Sequence, residues 1–203
     1  MRAASVGVMA VCVALGPGAV LAQAACPTAQ DLARGIRIDF ADGSSETFRD
    51  QGAGVVTVQG VDVEGFGYVM ELGKGIHLLS YAPMTDGVID EGARLDYDYG
   101  LAIADMPVPE PGGRWSTSVT VTDSMGPRSE PQSHAWGTLG SVDIGGCRYD
   151  MIEALIAYKT ADNYVESVLY LPALGIGYLL WNESSQTERF PVEAVAISVA
   201  RKK

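Results

Sequence analysis

The chain has few of the residues on which nucleic-acid binding and most catalytic sites depend. It holds only 14 Lys and Arg against 25 Asp and Glu, and 203 residues include just two histidines and three cysteines. A surface with a formal net charge of −11 repels phosphate, which excludes nucleic acid as a partner. The 47% of hydrophobic residues are enough to build a core, which excludes a disordered acidic tail.

Sequence motifs of known catalytic and metal sites are also missing. The chain has no Gly-x-Ser-x-Gly, no His-Glu-x-x-His, no phosphate-binding glycine loop and no Cys-x-x-Cys. His77 and His134 have no residues near them in sequence that mark a metal or nucleophile site, which favours a structural role for each. We therefore predict no metal and no cofactor, and an enzyme is the least favoured class of function.

Two groups of acidic residues are candidates for a cation site and for an acid–base pair. Asp86, Asp90 and Glu91 lie in an acidic loop, but their spacing lacks the alternating ligands of an EF-hand, which favours a solvated loop. Asp96 and Asp98 lie two residues apart on one strand face. They fit the wet side of an amphipathic strand better than an acid–base pair.

The N-terminus has the pattern of a secretory signal peptide over residues 1–24. Arg2 precedes an uncharged stretch at residues 6–21, and small side chains at Ala22 and Ala24 form the cleavage site. The apolar run is too short to cross a bilayer and is broken by Gly-Pro-Gly at residues 16–18. The mature chain, residues 25–203, is expected to be one periplasmic or secreted domain.

The cysteines support export and leave two alternatives open. Cys12 is lost with the signal peptide, so Cys26 and Cys147 remain and predict one disulfide in an oxidising compartment. Alternatively, Cys26 carries a lipid anchor and Cys147 is a free thiol. A lipobox requires an aliphatic residue three positions before the cysteine, where this chain has Gln23.

The mature chain reads as a succession of short β-strands. Thr28, Asp31 and Gly35 are start and stop signals for a short helical turn, after which apolar and polar residues alternate with period two. Residues 149–158 have some helix-favouring side chains, but their neighbours make a hairpin arm the preferred interpretation. Strands are predicted at 36–40, 46–49, 66–72, 76–81, 94–99, 115–122, 136–144, 149–158, 164–171, 175–181 and 190–200.

The connections between these strands predict the fold class. Residues 107–113 are a Pro/Gly-rich connector inside one domain, and residues 124–133 are predicted to be a polar loop. No helical crossover of about 10–15 residues separates the strands, so a parallel sheet is excluded. We predict an all-β fold: an antiparallel meander that forms a curved sheet, half-barrel or sandwich after a short N-terminal helical turn.

Aromatic residues concentrated in the C-terminal half are the candidate binding residues. In a fully packed sheet they are core, whereas in a curled, incompletely filled sheet they line an apolar cavity for an acyl chain or hydrophobic peptide. The predicted ligand-binding residues are Trp115, Trp136, Tyr170, Tyr178 and Trp181.

A resemblance supports the second possibility. Gly-Ser-Val-Asp-Ile-Gly-Gly-Cys-Arg-Tyr at residues 140–149 and Tyr-Leu-Pro-Ala-Leu-Gly-Ile-Gly-Tyr at residues 170–178 look like secreted bacterial β-proteins of largely unknown role. Some of these proteins are similar to half-barrels that carry lipids or lipoproteins across the periplasm. The resemblance implies a fold and a location, and it assigns no functional residue.

Two functions from different classes follow. The first is a periplasmic binding or carrier module that holds an apolar small molecule, a lipid or a hydrophobic peptide inside a curved sheet. The second is an interaction or structural protein of the envelope, with a fully packed sheet that acts through its acidic surface. Neither function requires the chain to span a membrane.

Overall fold

The computed structural model describes residues 25–160 and 162–201, which form one curved, open antiparallel sheet. The predicted signal peptide lies outside the described residues. The all-β prediction is confirmed, because only short 3₁₀ segments accompany the strands in the described ranges. The strands are β1 (Ile36–Phe40), β2 (Ser45–Gly52), β3 (Val55–Val61), β4 (Phe66–Gly73), β5 (His77–Thr85), β6 (Val88–Ile89), β7 (Leu95–Asp98), β8 (Arg114–Asp123), β9 (Gly126–Ile144), β10 (Cys147–Tyr158), β11 (Val165–Leu171), β12 (Ile176–Glu183), β13 (Phe190–Pro191) and β14 (Ala194–Val199).

The strand order shows how far the sheet curls. Most strands pair with the next strand in the chain, while β7 pairs with β5 and β14 pairs with β1. The resulting order is β13-β12-β11-β10-β9-β8-β7-β5-β4-β3-β2-β1-β14, with β6 beside β5. β13 and β14 therefore lie at opposite ends of this order. Only Val192 and Glu193 separate them in the chain. The two ends of the sheet must come close together, so the sheet is strongly curved.

The main core lies between the two facing halves of this curved sheet. β1 alternates Ile36, Ile38 and Phe40 toward the inside, and Phe48 on β2 is fully buried beside them. These side chains belong to one buried cluster with residues of β10, β11 and β12, among them Leu171. Each such side chain contributes about 1.5–3 kcal/mol when it is removed from water. Packing of one half on the other therefore holds the curvature.

The N-terminal segment is fastened to this core. A 3₁₀ turn at Ala29–Ala33 confirms the predicted helical turn, and the Thr28 backbone N–H donates to Asp31 Oδ2 at 2.9 Å. Cys26 and Cys147 form a disulfide that spans 121 residues, with Cα atoms 5.5 Å apart. The predicted disulfide is confirmed. The alternative of a lipid on Cys26 expected Cys147 to be a free thiol, and here both sulfurs are bonded to each other.

Two hairpin turns meet at one end of the sheet. The backbone N–H of Gly177 donates to the carbonyl oxygen of Gly75 at 2.8 Å, which joins the β4–β5 turn to the start of β12. Gly75 has φ +71°, and a Cβ there would lie 2.0 Å from the carbonyl oxygen of Gly175. Only glycine permits this approach. The contact closes the space between the facing halves at this end.

One predicted loop is wrong and two strands were not predicted. Residues 124–133 were expected to be a polar loop, but β9 begins at Gly126, and its residues 126–135 pair with the whole length of β8. Pairing of β9 with β10 stops at Gln132, so residues 126–131 have one unpaired edge, where Pro127 and Pro131 are tolerated. The ambiguous segment 149–158 lies in β10, as preferred. The strands that were not predicted are β3 and β6.

Candidate functional site

A cavity of about 620 Å³ lies inside the curve of the sheet. Its walls come from β2, β4, β5 and β7 on one side and from β9 to β12 on the other. Strands distant in the sheet order thus face one another across the same space. The lining residues are Glu46, Tyr68, Met70, Leu72, Ile76, Leu78, Tyr81, Tyr97, Glu130, Tyr158, Thr160, Asp162, Tyr164, Glu166, Val168, Gly177, Tyr178, Leu179 and Asn182.

One end of the cavity is apolar. Leu72 on β4 pairs with Leu78 on β5, next to the point where the Gly75 and Gly177 backbones meet. Val168 faces them from β11. Leu72 also belongs to the main core, so the cavity continues directly from that core. At this end a ligand would meet mainly aliphatic side chains.

The other end of the cavity is rich in tyrosine and carboxyl groups. Strand register places Tyr68 and Tyr81 further from the β4–β5 turn than the leucine pair, and Glu166 lies two residues before Val168 on β11. Glu166 shares an inward face with Val168, and Tyr68 with Leu72, because strand positions an even number apart point the same way. Tyr81 and Leu78 are three positions apart, and both border the cavity because the register of β4 and β5 shifts between them. The polarity therefore changes along the length of the cavity.

Glu46 is a buried carboxyl group on the β2 wall. Its side chain is 6% exposed, and its Oε1 accepts a hydrogen bond from the Tyr68 hydroxyl. Its Oε2 has no hydrogen-bond partner in the described part of the chain. Burial raises the pKa of Glu46 to about 7, against the lowering effect of the Tyr68 hydrogen bond. Near neutral pH this group therefore changes its charge readily.

Glu166 occupies a similar position on the β11 wall. Its Oε1 accepts a hydrogen bond from the Tyr158 hydroxyl, and the rings of Tyr158 and Tyr164 lie 5.4 Å apart. Burial, with a smaller contribution from the negative charge of Glu130, raises the pKa of Glu166 to about 7 against the lowering effect of the Tyr158 hydrogen bond. Glu130 itself accepts from Gln132 Nε2 at 3.0 Å. Two carboxyl groups thus lie at the tyrosine-rich end.

The two histidines lie together in a separate buried cluster. Their ring centroids are 5.6 Å apart, and His77 donates from Nε2 to the Pro107 carbonyl oxygen at 2.6 Å. Both ring nitrogens of His134 lack partners among the described residues. Burial, and secondarily the charge of His77, lowers the pKa of His134 to about 4, so both rings are neutral at pH 7. His77 lies at the start of β5, and His134 lies in β9.

The five predicted aromatic residues fall in different places. Tyr178 borders the cavity. Trp136 and Tyr170 do not line the cavity and are buried in a second core cluster, which also contains the lining residue Val168. Trp115 packs with its ring centroid 4.9 Å from that of His77. Trp181 lies under the Arg189 guanidinium, with 3.8 Å between the cation and the ring centroid. The structure therefore brings one of the five to the cavity.

The acidic residues that were candidate sites in the sequence have local structural partners or face solvent. Asp90 Oδ1 accepts from the Gly92 backbone N–H at 3.0 Å, and Glu91 forms an ion pair with Arg94. Asp96 and Asp98 are exposed on β7. No cluster of three or more metal-ligating side chains occurs in residues 25–160 and 162–201. In the same ranges no helix is long and apolar enough to cross a membrane.

Sequence reasoning missed the carboxyl groups of the cavity, although a signal for two of them is present. Glu46 is two positions before the fully buried Phe48, and Glu166 is two positions before the buried Val168. Alternation therefore places both acids on an inward face, where a charged side chain is costly unless it is paired. An acid at a core position of an alternating strand marks a candidate site.

Comparison with known proteins identifies no family for this chain. No protein-family model matches the chain, and no curated protein matches it. Among solved structures, the chain is similar to the hypothetical lipoprotein YmcC from Escherichia coli. The identity is 10% and the TM-score 0.45, with 83% of this chain and 88% of that chain covered.

Proposed function

We propose that the protein is an exported, non-enzymatic binding or carrier module that holds an apolar ligand inside its curved sheet. The observation that carries the proposal is the cavity of about 620 Å³ between the two halves of the sheet. Ligand pockets typically measure about 300–1,000 Å³. Protein interiors are otherwise close-packed, because an empty space forfeits the contacts of the side chains around it.

The lining and the disulfide support the same proposal. Met70, Leu72, Leu78 and Val168 offer aliphatic contacts, and the cavity continues from the main core. The Cys26–Cys147 bond is typical of proteins that fold in an oxidising compartment, such as the periplasm. The alternative function, an envelope interaction protein with a fully packed sheet, receives no support from a cavity of this volume.

Binding of a neutral fluorescent probe tests the proposal. N-Phenyl-1-naphthylamine becomes brightly fluorescent in apolar surroundings, so titration of the purified protein should show saturable enhancement with one site per chain. Leu78→Trp places an indole ring in the apolar end of the cavity and should weaken probe binding by about tenfold or more. The matched control is Leu139→Trp, because Leu139 is 54% exposed on β9 and does not line the cavity.

Each outcome decides for or against the proposal. Weaker binding in Leu78→Trp, with wild-type binding in Leu139→Trp, supports it, provided that circular dichroism shows both variants folded. Absence of saturable enhancement in the wild-type protein overturns it. Equal probe affinity in the two folded variants also overturns it, since the probe then binds outside the cavity.

A further inference from the structure

The cavity changes character from one end to the other, and this restricts the kind of ligand it can hold. Leu72, Leu78 and Val168 surround one end, whereas carboxyl groups and tyrosine hydroxyls surround the other. A wholly apolar ligand would leave the polar end facing hydrocarbon, which is costly. A ligand with an apolar tail and a polar head satisfies both ends.

The charge at the polar end is of one sign. Glu46, Glu130, Asp162 and Glu166 border the cavity, and no Lys, Arg or His among the described residues borders it. The nearby cation Arg128 is already paired with Asp123. Such an arrangement repels an anionic head and attracts a cation.

Tyrosine rings reinforce the preference for a cation. Tyr97, Tyr158 and Tyr164 border the same end as Glu130 and Glu166, and the Tyr158 and Tyr164 centroids are 5.4 Å apart. The negative faces of aromatic rings attract ammonium groups, and clustered rings are a recurring feature of sites for such ligands. Aromatic rings and carboxylates together therefore match an ammonium group in shape and charge.

A carboxyl oxygen on the opposite wall gives an independent indication. Glu46 is more than nine-tenths buried and borders the cavity, yet its Oε2 has no hydrogen-bond partner among the described residues. A buried acceptor without a donor costs about 1–3 kcal/mol in a folded protein. An unpaired acceptor at a cavity wall is explained if a ligand supplies the donor.

We infer that the ligand is an amphiphile with a protonated amine as its head group. The ammonium lies at the tyrosine-rich end, where Glu46 Oε2, Glu130 and Glu166 accept its N–H donors. The apolar tail extends between Leu72, Leu78 and Val168. This inference rests on the proposed function and adds the chemical class of the ligand. Charge-assisted hydrogen bonds are about twice as strong as neutral ones, so the head group provides selectivity.

Competition among three probes of equal chain length tests the inference. Dodecylammonium and dodecanoate below their micelle concentrations, and dodecanol below its solubility limit, are titrated against protein loaded with N-phenyl-1-naphthylamine at pH 7.5. The inhibition constant of dodecylammonium should be lower than that of dodecanol by about tenfold or more, and dodecanoate should be the weakest competitor. The preference should decrease with added salt, because partly exposed charges are screened.

Substitution of the carboxyl groups identifies the head-group site. In Glu166→Gln and in Glu130→Gln, the ratio of the dodecanol to the dodecylammonium inhibition constant should fall toward 1. The ratio is used because it is independent of changes in affinity for the probe. The control is Glu64→Gln, which alters an exposed glutamate that does not line the cavity and should keep the wild-type ratio.

The outcomes separate this inference from the proposed function. If the neutral probe does not bind, the proposed function fails. If the probe binds and dodecanol or dodecanoate competes as well as dodecylammonium in the wild-type protein, the cavity binds apolar ligands and the inference of a cationic head is overturned. This comparison needs no variant. An unchanged ratio in both folded glutamine variants likewise overturns the assignment of the head-group site.

Discussion

Glu46 makes a quantitative prediction about stability and pH. The pKa of this carboxyl rises from 4.5 to about 7 because it is buried at the cavity wall. Between these two values the native protein holds a proton that the unfolded chain has released. Stability is therefore lost as pH rises through this window, and the loss is complete above pH 7. The shift in pKa corresponds to about 3 kcal/mol.

Glu46→Gln removes this titration while keeping the shape of the side chain and an acceptor for the Tyr68 hydroxyl. Urea unfolding of the apo protein at pH 5 and pH 8 measures the effect. The wild-type protein should lose about 2–3 kcal/mol more than Glu46→Gln between the two pH values. The amide N–H groups introduced by Glu46→Gln have no better partners than Glu46 Oε2, so the substitution itself lowers the free energy of unfolding. This loss is the same at both pH values and cancels when the two are compared.

Glu64→Gln is the control, because Glu64 is exposed and its substitution should leave the pH dependence of the wild-type protein unchanged. Equal losses in the wild-type protein and in Glu46→Gln would refute the reasoning, since Glu46 would then titrate alike in both states. A larger loss of stability in Glu46→Gln than in the wild-type protein would show that Glu46 changes stability with pH in the opposite direction.

Two further predictions concern the disulfide and the histidine cluster. Cys147→Ser should lower the free energy of unfolding by about 4–5 kcal/mol, because the lost bond closes a long loop; a loss below about 1 kcal/mol in a urea titration would contradict this. Between pH 7 and pH 4.5, wild-type stability should fall more than that of His134→Phe, because burial lowers the pKa of His134 to about 4. If the free energy of unfolding changed equally with pH in the two proteins, titration of His134 could not be the cause.

Alternation made most of the strands predictable from the sequence. In β1 and β7 each apolar residue is followed by a charged one, so the period of two is unambiguous, and both strands have the expected inward faces. The start of β9 was not predicted, because it contains Pro127, Pro131 and polar residues, which are more typical of loops than of strands. There they occupy a strand with one unpaired edge, which only the pairing with β8 reveals.

The cavity was harder to predict because it depends on distances between strands far apart in the chain. Tyr68 on β4 and Glu46 on β2 are both paired with Gly60 on the strand between them, and their hydrogen bond forms because the Tyr68 ring lies over this glycine. Sequence alternation assigns a side chain to a face, but it does not say which side chains meet across that face. The aromatic residues were candidates because of their size, and three of the five pack in core clusters without lining the cavity.

The buried acids and the buried histidines act on stability in opposite directions. Burial penalises the charged form of each, so the pKa values of Glu46 and Glu166 rise and those of His77 and His134 fall. From about pH 4.5 to pH 6.5 the native acids hold protons that the unfolded chain lacks, whereas the native histidines lack protons that the unfolded chain binds. The acids and the histidines therefore change the free energy of unfolding with pH in opposite directions, which gives a plateau of stability in this range. Above the plateau only the acids titrate, so a cation bound beside them would stabilise the protein most at neutral and alkaline pH.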